Sequence, residues 1–507
     1  MNITDEEKQD TNKEKQSAEV VDAKMAATIE TGRHRQIIAR AGSGKTQHIS
    51  ELVVERLKEG SPPESIMAIA YGVQAAQELK ERILLVAGQK LGPTPGLSQM
   101  TVGTIHSICL ALLKRHLPRY ASYRLLSDAQ VYLLLKKNFR TLELGHIRLV
   151  DGPHVGDPIE NNVWDVRVLM DVLAVLREGD IDWGKVPRPL KNACRKYKEL
   201  MRRERALDHT GLLQNAVQAL ENTEDEHCQS LRRYIAETVQ HLYVDEYQDV
   251  NPVQERLIQT FADLGVCVTT VGDPGQAIFG WRGCDARYVT TFTERYGGQQ
   301  ERLDSNYRSS PAVIAAAQSF LEPQSGTMDA AGHQRTDASD LQAGQFADPQ
   351  QEAQFVVRRV QELLGTPFQD QRDGPLRGLT YSDMAVLCRS VHQSAGPIVA
   401  ALTAAGIPCQ VSGLGGLFAA VEVQAVVKSF LFLADCPELV RQGNKIVGRQ
   451  AVTAEAVAQA WREAELGFSS TGIDAGVAYL QTQKALYANH GWHSEECEVP
   501  GEKEARR

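Results

Sequence analysis

Between the apolar pair Ile37-Ile38 and the helix-forming stretch His48-Ile49-Ser50-Glu51-Leu52, the chain reads Ala39-Arg40-Ala41-Gly42-Ser43-Gly44-Lys45-Thr46. A glycine-rich turn between a strand and a helix aims successive backbone N–H groups at one point, and the helix adds its positive end. Together they make a cradle for an anion. The Lys45 ammonium is placed to span the β- and γ-phosphates of a nucleoside triphosphate, and the Thr46 hydroxyl to ligate Mg2+. The spacing is that of G-x-x-x-x-G-K-[ST], with Ala39 standing where the first glycine is usual. The loop predicts a strand–turn–helix unit of an α/β fold and a bound nucleoside triphosphate.

Such a loop needs an acidic partner at the end of a neighbouring strand. His241-Leu242-Tyr243-Val244 is a short apolar run followed at once by Asp245-Glu246-Tyr247-Gln248-Asp249. An Asp at that point can hold Mg2+, and the adjacent Glu can deprotonate an attacking water. The alternative for a bare Asp-Glu pair is an acidic turn that caps the next helix. Paired with Lys45, the catalytic reading is the stronger one.

Four further segments share an order with these two. They are Met67-Ala68-Ile69-Ala70-Tyr71-Gly72-Val73-Gln74-Ala75-Ala76, Gly103-Thr104-Ile105-His106-Ser107, Val271-Gly272-Asp273-Pro274-Gly275-Gln276-Ala277-Ile278-Phe279-Gly280-Trp281-Arg282-Gly283, and Asn306-Tyr307-Arg308-Ser309. With Asp245-Glu246-Tyr247-Gln248-Asp249-Val250-Asn251, this set resembles the UvrD/Rep-like family of superfamily 1 DNA helicases. The resemblance implies the following roles. Ala39 to Thr46 bind the nucleotide, with Lys45 on its phosphates; Thr46 and Asp245 hold Mg2+, and Glu246 is the base. Gln276 senses the γ-phosphate, Arg308 acts as an arginine finger, and Tyr307 stacks on adenine. Tyr71, His106, Trp281 and Arg282 line the path of single-stranded DNA, where stacking tolerates any base. A lone Trp281 has the alternative of a place in a core. The family's adenine-reading glutamine has no counterpart in Asp22 to Ala27, and Gln47 stands where the family tends to have Arg, so adenine selectivity is left open by the sequence.

The resemblance further implies an ATP- and Mg2+-dependent helicase moving 3′→5′ on single-stranded DNA and acting at single-strand/duplex junctions. The family's two C-terminal motifs are not found after Ala434. The expectation is therefore an N-terminal portion of such a motor, or one half completed by a second polypeptide. The other reading is a non-hydrolysing ATP- and DNA-binding regulatory module.

Across 507 residues, 42% apolar content suffices for two to four domains. No run of 18 apolar residues occurs, and Met1-Asn2-Ile3-Thr4-Asp5-Glu6-Glu7 lacks the apolar stretch of a signal peptide, so a cytoplasmic protein without a membrane partner is expected. Nine scattered cysteines without a C-x-x-C pair point to reduced thiols rather than a metal site. The net charge of −9 excludes indiscriminate nucleic-acid binding but leaves room for a local basic track. Lys185 to Arg205 holds nine Lys/Arg against two Glu, with Lys191, Arg195, Lys198, Arg202 and Arg205 along one edge of an amphipathic helix. That edge reads as a solvated, salt-bridged face or as a phosphate contact, and its place between the DNA-contacting motifs slightly favours the contact with duplex or single-strand phosphates.

The expected organisation is a disordered tail over 1–22, a first RecA-like lobe over 23–115 and 206–309 with a parallel sheet, and a helical insertion over 116–205. The start of a second, incomplete RecA-like lobe follows over 310–435, then a helical segment over 436–507. In the second lobe, Met384–Arg389 and Ile407–Ser412 read as strands and Glu352–Leu364 as an amphipathic helix.

Overall fold

Eight short strands occur among the described residues of the first part of the chain: β1 (Arg35–Ala39), β2 (Ile66–Ala70), β3 (Thr101–Thr104), β4 (Arg124–Leu125), β5 (Ala206–Leu207), β6 (His241–Val244), β7 (Cys267–Gly272) and β8 (Gln299–Leu303). Six of them build one sheet in the order β3-β2-β6-β7-β1-β8, with every pairing parallel. β4 and β5 pair separately. The computed structural model describes residues 34–148, 156–179, 181–280, 283–320, 341–369, 375–411, 420–442, 445–465 and 467–489. The chain divides into two units that part between Gln342 and Ala343. The expected tail over 1–22 lies outside the described residues.

In the first unit the alternation of side chains along each strand serves both faces of the sheet. Met67, Ile69, Leu242 and Val244 join one core, with Ile108, Leu112, Leu212 and Ile258 from the helices Ile105–His116, His209–Glu221 and Pro252–Asp263. Ile37, Ala68, Ala70 and Tyr243 join the other, with Ile49, Val53, Leu79 and Ile83 from Lys45–Lys58 and Val73–Lys90. Burying each Ile or Leu is worth about 1.5–3 kcal/mol. A parallel strand is stable only when both of its faces are covered in this way. Thr104, Asp208, Asp225 and Asn251 start four of the helices by accepting a hydrogen bond from the backbone N–H three residues on.

Between β4 and β5 the described residues are mainly helical. Asp128–Lys137, Val163–Glu178 and Arg188–Arg203 surround a core that includes Leu135, Leu169, Leu173 and Tyr197. The last helix buries Cys194, Tyr197 and Met201 and exposes Arg195, Lys198 and Arg202. Arg195 pairs with Glu199 and Lys196 with Glu143, so part of the basic edge is spent on local ion pairs. A buried Arg177–Asp208 pair (3.1 and 2.5 Å), with Tyr197 donating to the same carboxylate at 2.9 Å, fixes the end of the helix Val163–Glu178 beside the start of the helix His209–Glu221. Burial would raise the Asp208 carboxyl, but the Arg177 charge and the hydrogen bonds from Arg177, Gly211 and Tyr197 hold it below its ordinary value.

In the second unit, the helices Pro349–Leu363 and Val391–Ala404 pack through Ala353, Val357, Ile398 and Leu402. The helices Val421–Leu433, Ala454–Glu463 and Ser470–Asn489 follow, and Trp461 on the second donates to Ser429 on the first at 2.9 Å. Two antiparallel pairs, Pro367–Gln369 with Leu376–Gly378 and Glu438–Gln442 with Lys445–Gln450, are the strands among its described residues. The expected strand Met384–Arg389 is not formed, nor is Ile407–Ser412 over its described residues, 407–411. A strand exists only through its ladder. Here no neighbouring strand pairs with these segments among the described residues, and Leu387 is 94% exposed. The stretch after 435, expected to be a helical segment, opens on the Glu438–Gln450 hairpin before its helices Ala454–Glu463 and Ser470–Asn489.

No helix of the described residues is long and apolar enough to cross a membrane. Cys109, Cys194, Cys228, Cys267, Cys284, Cys388 and Cys409 are free thiols.

Candidate functional site

In a parallel sheet all carboxyl ends lie along one edge, and the loops leaving that edge build the site. The loop 40–44 leaves β1, Tyr71 follows β2, His106 follows β3, Asp245-Glu246 follow β6, Asp273 and Gln276 follow β7, and Asn306 to Arg308 follow β8.

The glycine-rich loop bends because Gly42 (φ +75°) and Gly44 (φ +84°) adopt the left-handed region, which costs glycine nothing. Ser43 closes the turn by donating from both its N–H (3.1 Å) and its hydroxyl (2.7 Å) to the Arg40 carbonyl. Lys45 and Thr46 then open the helix Lys45–Lys58. The Lys45 ammonium reaches across to Glu246 Oε2 at 2.7 Å, joining the loop after β1 to the acidic pair after β6.

Glu246 itself sits at φ 50°, a left-handed conformation that an L-residue with a side chain adopts at a cost of about 1–2 kcal/mol. Burial, and then the charge of Glu246 beside it, push the Asp245 carboxyl up to about 6. The same two causes push Asp249 to about 6, and its Oδ1 is buried with no hydrogen-bond partner among the described residues. These carboxylates sit where they are poorly solvated, and a cation would relieve them.

Two residues without an expected role tie the parts together. Gln248 donates to Glu246 Oε2 (2.8 Å) and accepts from the Asp273 N–H (2.9 Å). Asp273 Oδ2 accepts from the Ala41 N–H (3.1 Å) and from the Gln276 side chain (2.7 Å). The polar runs of the acidic box and of Val271 to Gln276 were the available signal; the partners, more than 200 positions apart in the chain for Ala41 and Asp273, were not visible in it.

Tyr307 is 61% exposed, and the Arg308 side chain is exposed with no ion pair among the described residues. Tyr71 stacks on Phe279 (ring centroids 6.0 Å, planes 16° apart), and His106 meets His209 edge-on at 4.9 Å. Phe279 is thus a further aromatic of this edge that sequence reasoning passed over for Trp281. Trp281 and Arg282 lie outside the described residues. A cavity of about 620 Å³ runs from Tyr71, Asp245 and Glu246 past His106, Asp249 and Asn251 toward the helical region.

A glycine-rich loop after the first strand and an acidic pair after a neighbouring one, at the carboxyl edge of an all-parallel sheet, define a P-loop fold. Within that class the chain belongs to the UvrD/REP helicase family: residues 21–297 match the UvrD/REP helicase N-terminal domain. Residues 302–434 match the UvrD-like helicase C-terminal domain. This second match falls on the stretch read as the start of the second lobe, and to that extent it corrects the expectation of a chain without the family's C-terminal motifs. Similar proteins include the ATP-dependent DNA helicase PcrA of Staphylococcus epidermidis, 26% identical over 364 residues, which cover 71% of this chain and 46% of the relative. PcrA of Staphylococcus aureus is 25% identical over 378 residues, with the same coverage of 71% and 46%. The chain spans about half the length of the curated relatives it matches.

Proposed function

We propose that this chain couples hydrolysis of ATP to 3′→5′ movement along single-stranded DNA, as an ATP-dependent DNA helicase of the UvrD/Rep type. The observation that carries the reading is the Lys45–Glu246 contact at 2.7 Å, which brings a phosphate-binding cation and a carboxylate pair to one point of the sheet edge. The names of the PcrA relatives agree with it.

Residues 39–46 hold the phosphates, with the Lys45 ammonium leaving Glu246 for the phosphate oxygens. Thr46 and Asp245 would be the ligands for Mg2+, and the buried Asp245 carboxyl, pushed up to about 6 by burial and by Glu246, fits a group that a divalent charge would stabilise. When bound, Mg2+ neutralises charge on the phosphoryl oxygens. Glu246, released from Lys45, accepts the proton of the attacking water. Gln276, held on Asp273, senses the γ-phosphate, Arg308 neutralises its developing charge, and Tyr307 offers its exposed ring to the base.

Tyr71, Phe279, His106, Trp281 and Arg282 carry the single strand, and the exposed Lys198 and Arg202 contact phosphates at the junction with duplex. The first lobe comprises 23–115 and 206–309, the insertion 116–205, and the second lobe begins at 310. The common sheet drawn from both stretches of the first lobe, and the separate core of the intervening helices, support that division.

The test is single-strand-stimulated ATP hydrolysis. Glu246→Gln is expected to keep Mg-ATP affinity and lose about 10²–10⁴ in turnover, the worth of a general base. Parent-like turnover by that variant overturns the assignment, and ATP binding without any turnover by the parent chain points to a regulatory module.

A further inference from the structure

Asn306 follows β8 and is 3% exposed. Its amide is used at both ends. Nδ2 donates to the Ala41 carbonyl at 2.8 Å, while Oδ1 accepts from the N–H groups of Arg308 (2.8 Å) and Ser309 (2.7 Å). One residue on, the Tyr307 N–H donates to the Gly42 carbonyl at 2.8 Å. Two adjacent rungs therefore join the glycine-rich loop to the turn that carries Tyr307 and Arg308.

The fit is close enough to constrain residue choice on both sides. A Cβ on Gly42 would stand 2.7 Å from Asn306 Nδ2, and Gly42 has φ +75°, so the amide occupies the space that any side chain at 42 would need. On its other side the Ala41 peptide is held by Asp273, which also holds Gln276. The Ala41 N–H is thus tied to the segment of Gln276 and its carbonyl to the segment of Arg308.

Capping the turn at Arg308 and Ser309 needs only an acceptor, which Asp or Ser supplies as well as Asn. The bond to Ala41 needs a donor at the same reach. Asp would set a lone pair against the carbonyl, and Ser is too short. An amide on a single methylene meets both demands, and the turn alone does not require it.

We infer that Asn306 is a positioning residue for hydrolysis, setting the place of the Tyr307–Arg308 segment against the loop that holds the phosphates. The inference rests on the nucleotide site proposed above. Because the arginine segment and the phosphate loop meet at this amide and at the Tyr307–Gly42 rung beside it, a shift of the amide moves the guanidinium relative to the place of the γ-phosphate. Loss of the tie therefore affects turnover more than binding.

The experiment compares Asn306→Asp and Asn306→Ser, each alone and combined with Arg308→Ala, in the full chain. Affinity for a fluorescent ATP analogue, kcat for ATP, and amide hydrogen exchange at Tyr307 are measured. Both substitutions are expected to lower kcat at least tenfold and to change nucleotide Kd by less than threefold. In the Arg308→Ala background they are expected to change kcat less than twofold, because the group they position is gone. Exchange at Tyr307 is expected to speed at least tenfold.

A merely structural role would lower kcat equally in both backgrounds, and that result overturns the inference. So does unchanged exchange at Tyr307, a readout that needs no turnover. If Arg308→Ala leaves kcat at the parent value, the role proposed for Arg308 fails. If Arg308→Ala lowers kcat and the Asn306 variants do not, this inference alone fails.

Discussion

The two units treat apolar sequence in opposite ways. In the first, Ile37, Ala68 and Val271 lie in the middle of a six-stranded sheet covered on both faces, and Ile37 has no exposed surface. In the second, Val386-Leu387 carries the same kind of strand-forming sequence, yet the described residues pair it with nothing and leave Leu387 94% exposed. Composition does not separate them. A buried parallel strand is a property of its neighbours, and identical local propensity gives a core in one place and a bare edge in the other.

The widest expected contrast concerns two Arg–Asp pairs of similar geometry. Arg177 and Asp208 are buried, whereas Arg377 and Asp383 (2.7 and 2.8 Å) are open to solvent. Arg177→Met leaves the Asp208 carboxylate uncompensated and should cost about 3–5 kcal/mol in denaturant unfolding. Arg377→Met should leave the melting temperature almost unchanged, since water screens that pair. Equal effects would erase the contrast between the units.

A smaller contrast is hydrophobic. Ile37→Ala opens a cavity in the sheet and should cost about 2–5 kcal/mol. Leu387→Ala removes a group that already faces solvent and should fall within about 0.5 kcal/mol of the parent. A large cost at Leu387 would mean that in solution something covers it.

The smallest effect is a pH dependence confined to the first unit. His34 is buried, its Nδ1 accepts from the Val268 N–H at 3.1 Å, and burial holds its pKa below the ordinary 6.5. The neutral ring is the one that fits. Its stabilising share is therefore present above about 6.5 and is lost as pH falls through the lowered pKa. Melting temperature should decline over that acid range, and His34→Gln should flatten the decline. An unchanged slope would remove His34 from the account.

Much of the site could be read from the chain because its chemistry is local. Gly42, Gly44, Lys45 and Thr46 need each other at fixed spacing, as do Asp245 and Glu246, so the pattern survives in one dimension. The helices of 128–203 were legible from apolar periodicity. The ties through Gln248, Asp273 and Asn306 were not, because each joins loops far apart in sequence and leaves no spacing behind. Phe279 was passed over because its stacking partner, Tyr71, belongs to another segment. The hairpin Glu438–Gln450 did have a signal, in that Gly443-Asn444 separates the short apolar pairs Leu439-Val440 and Ile446-Val447. The failed strand at Met384–Arg389 has the opposite cause: its local signal was right and its neighbour was missing.

The left-handed backbone of Glu246 has a consequence for how this protein can decay. At φ 50° a glycine would sit without strain, so Glu246→Gly relaxes the chain at the point where it discards the carboxylate. Drift at that codon gives up the Lys45 and Gln248 contacts and recovers the backbone strain, so the two effects offset each other and fold and heat resistance should change little. A population screened only for well-behaved protein would therefore retain the variant whose proposed chemistry is dead.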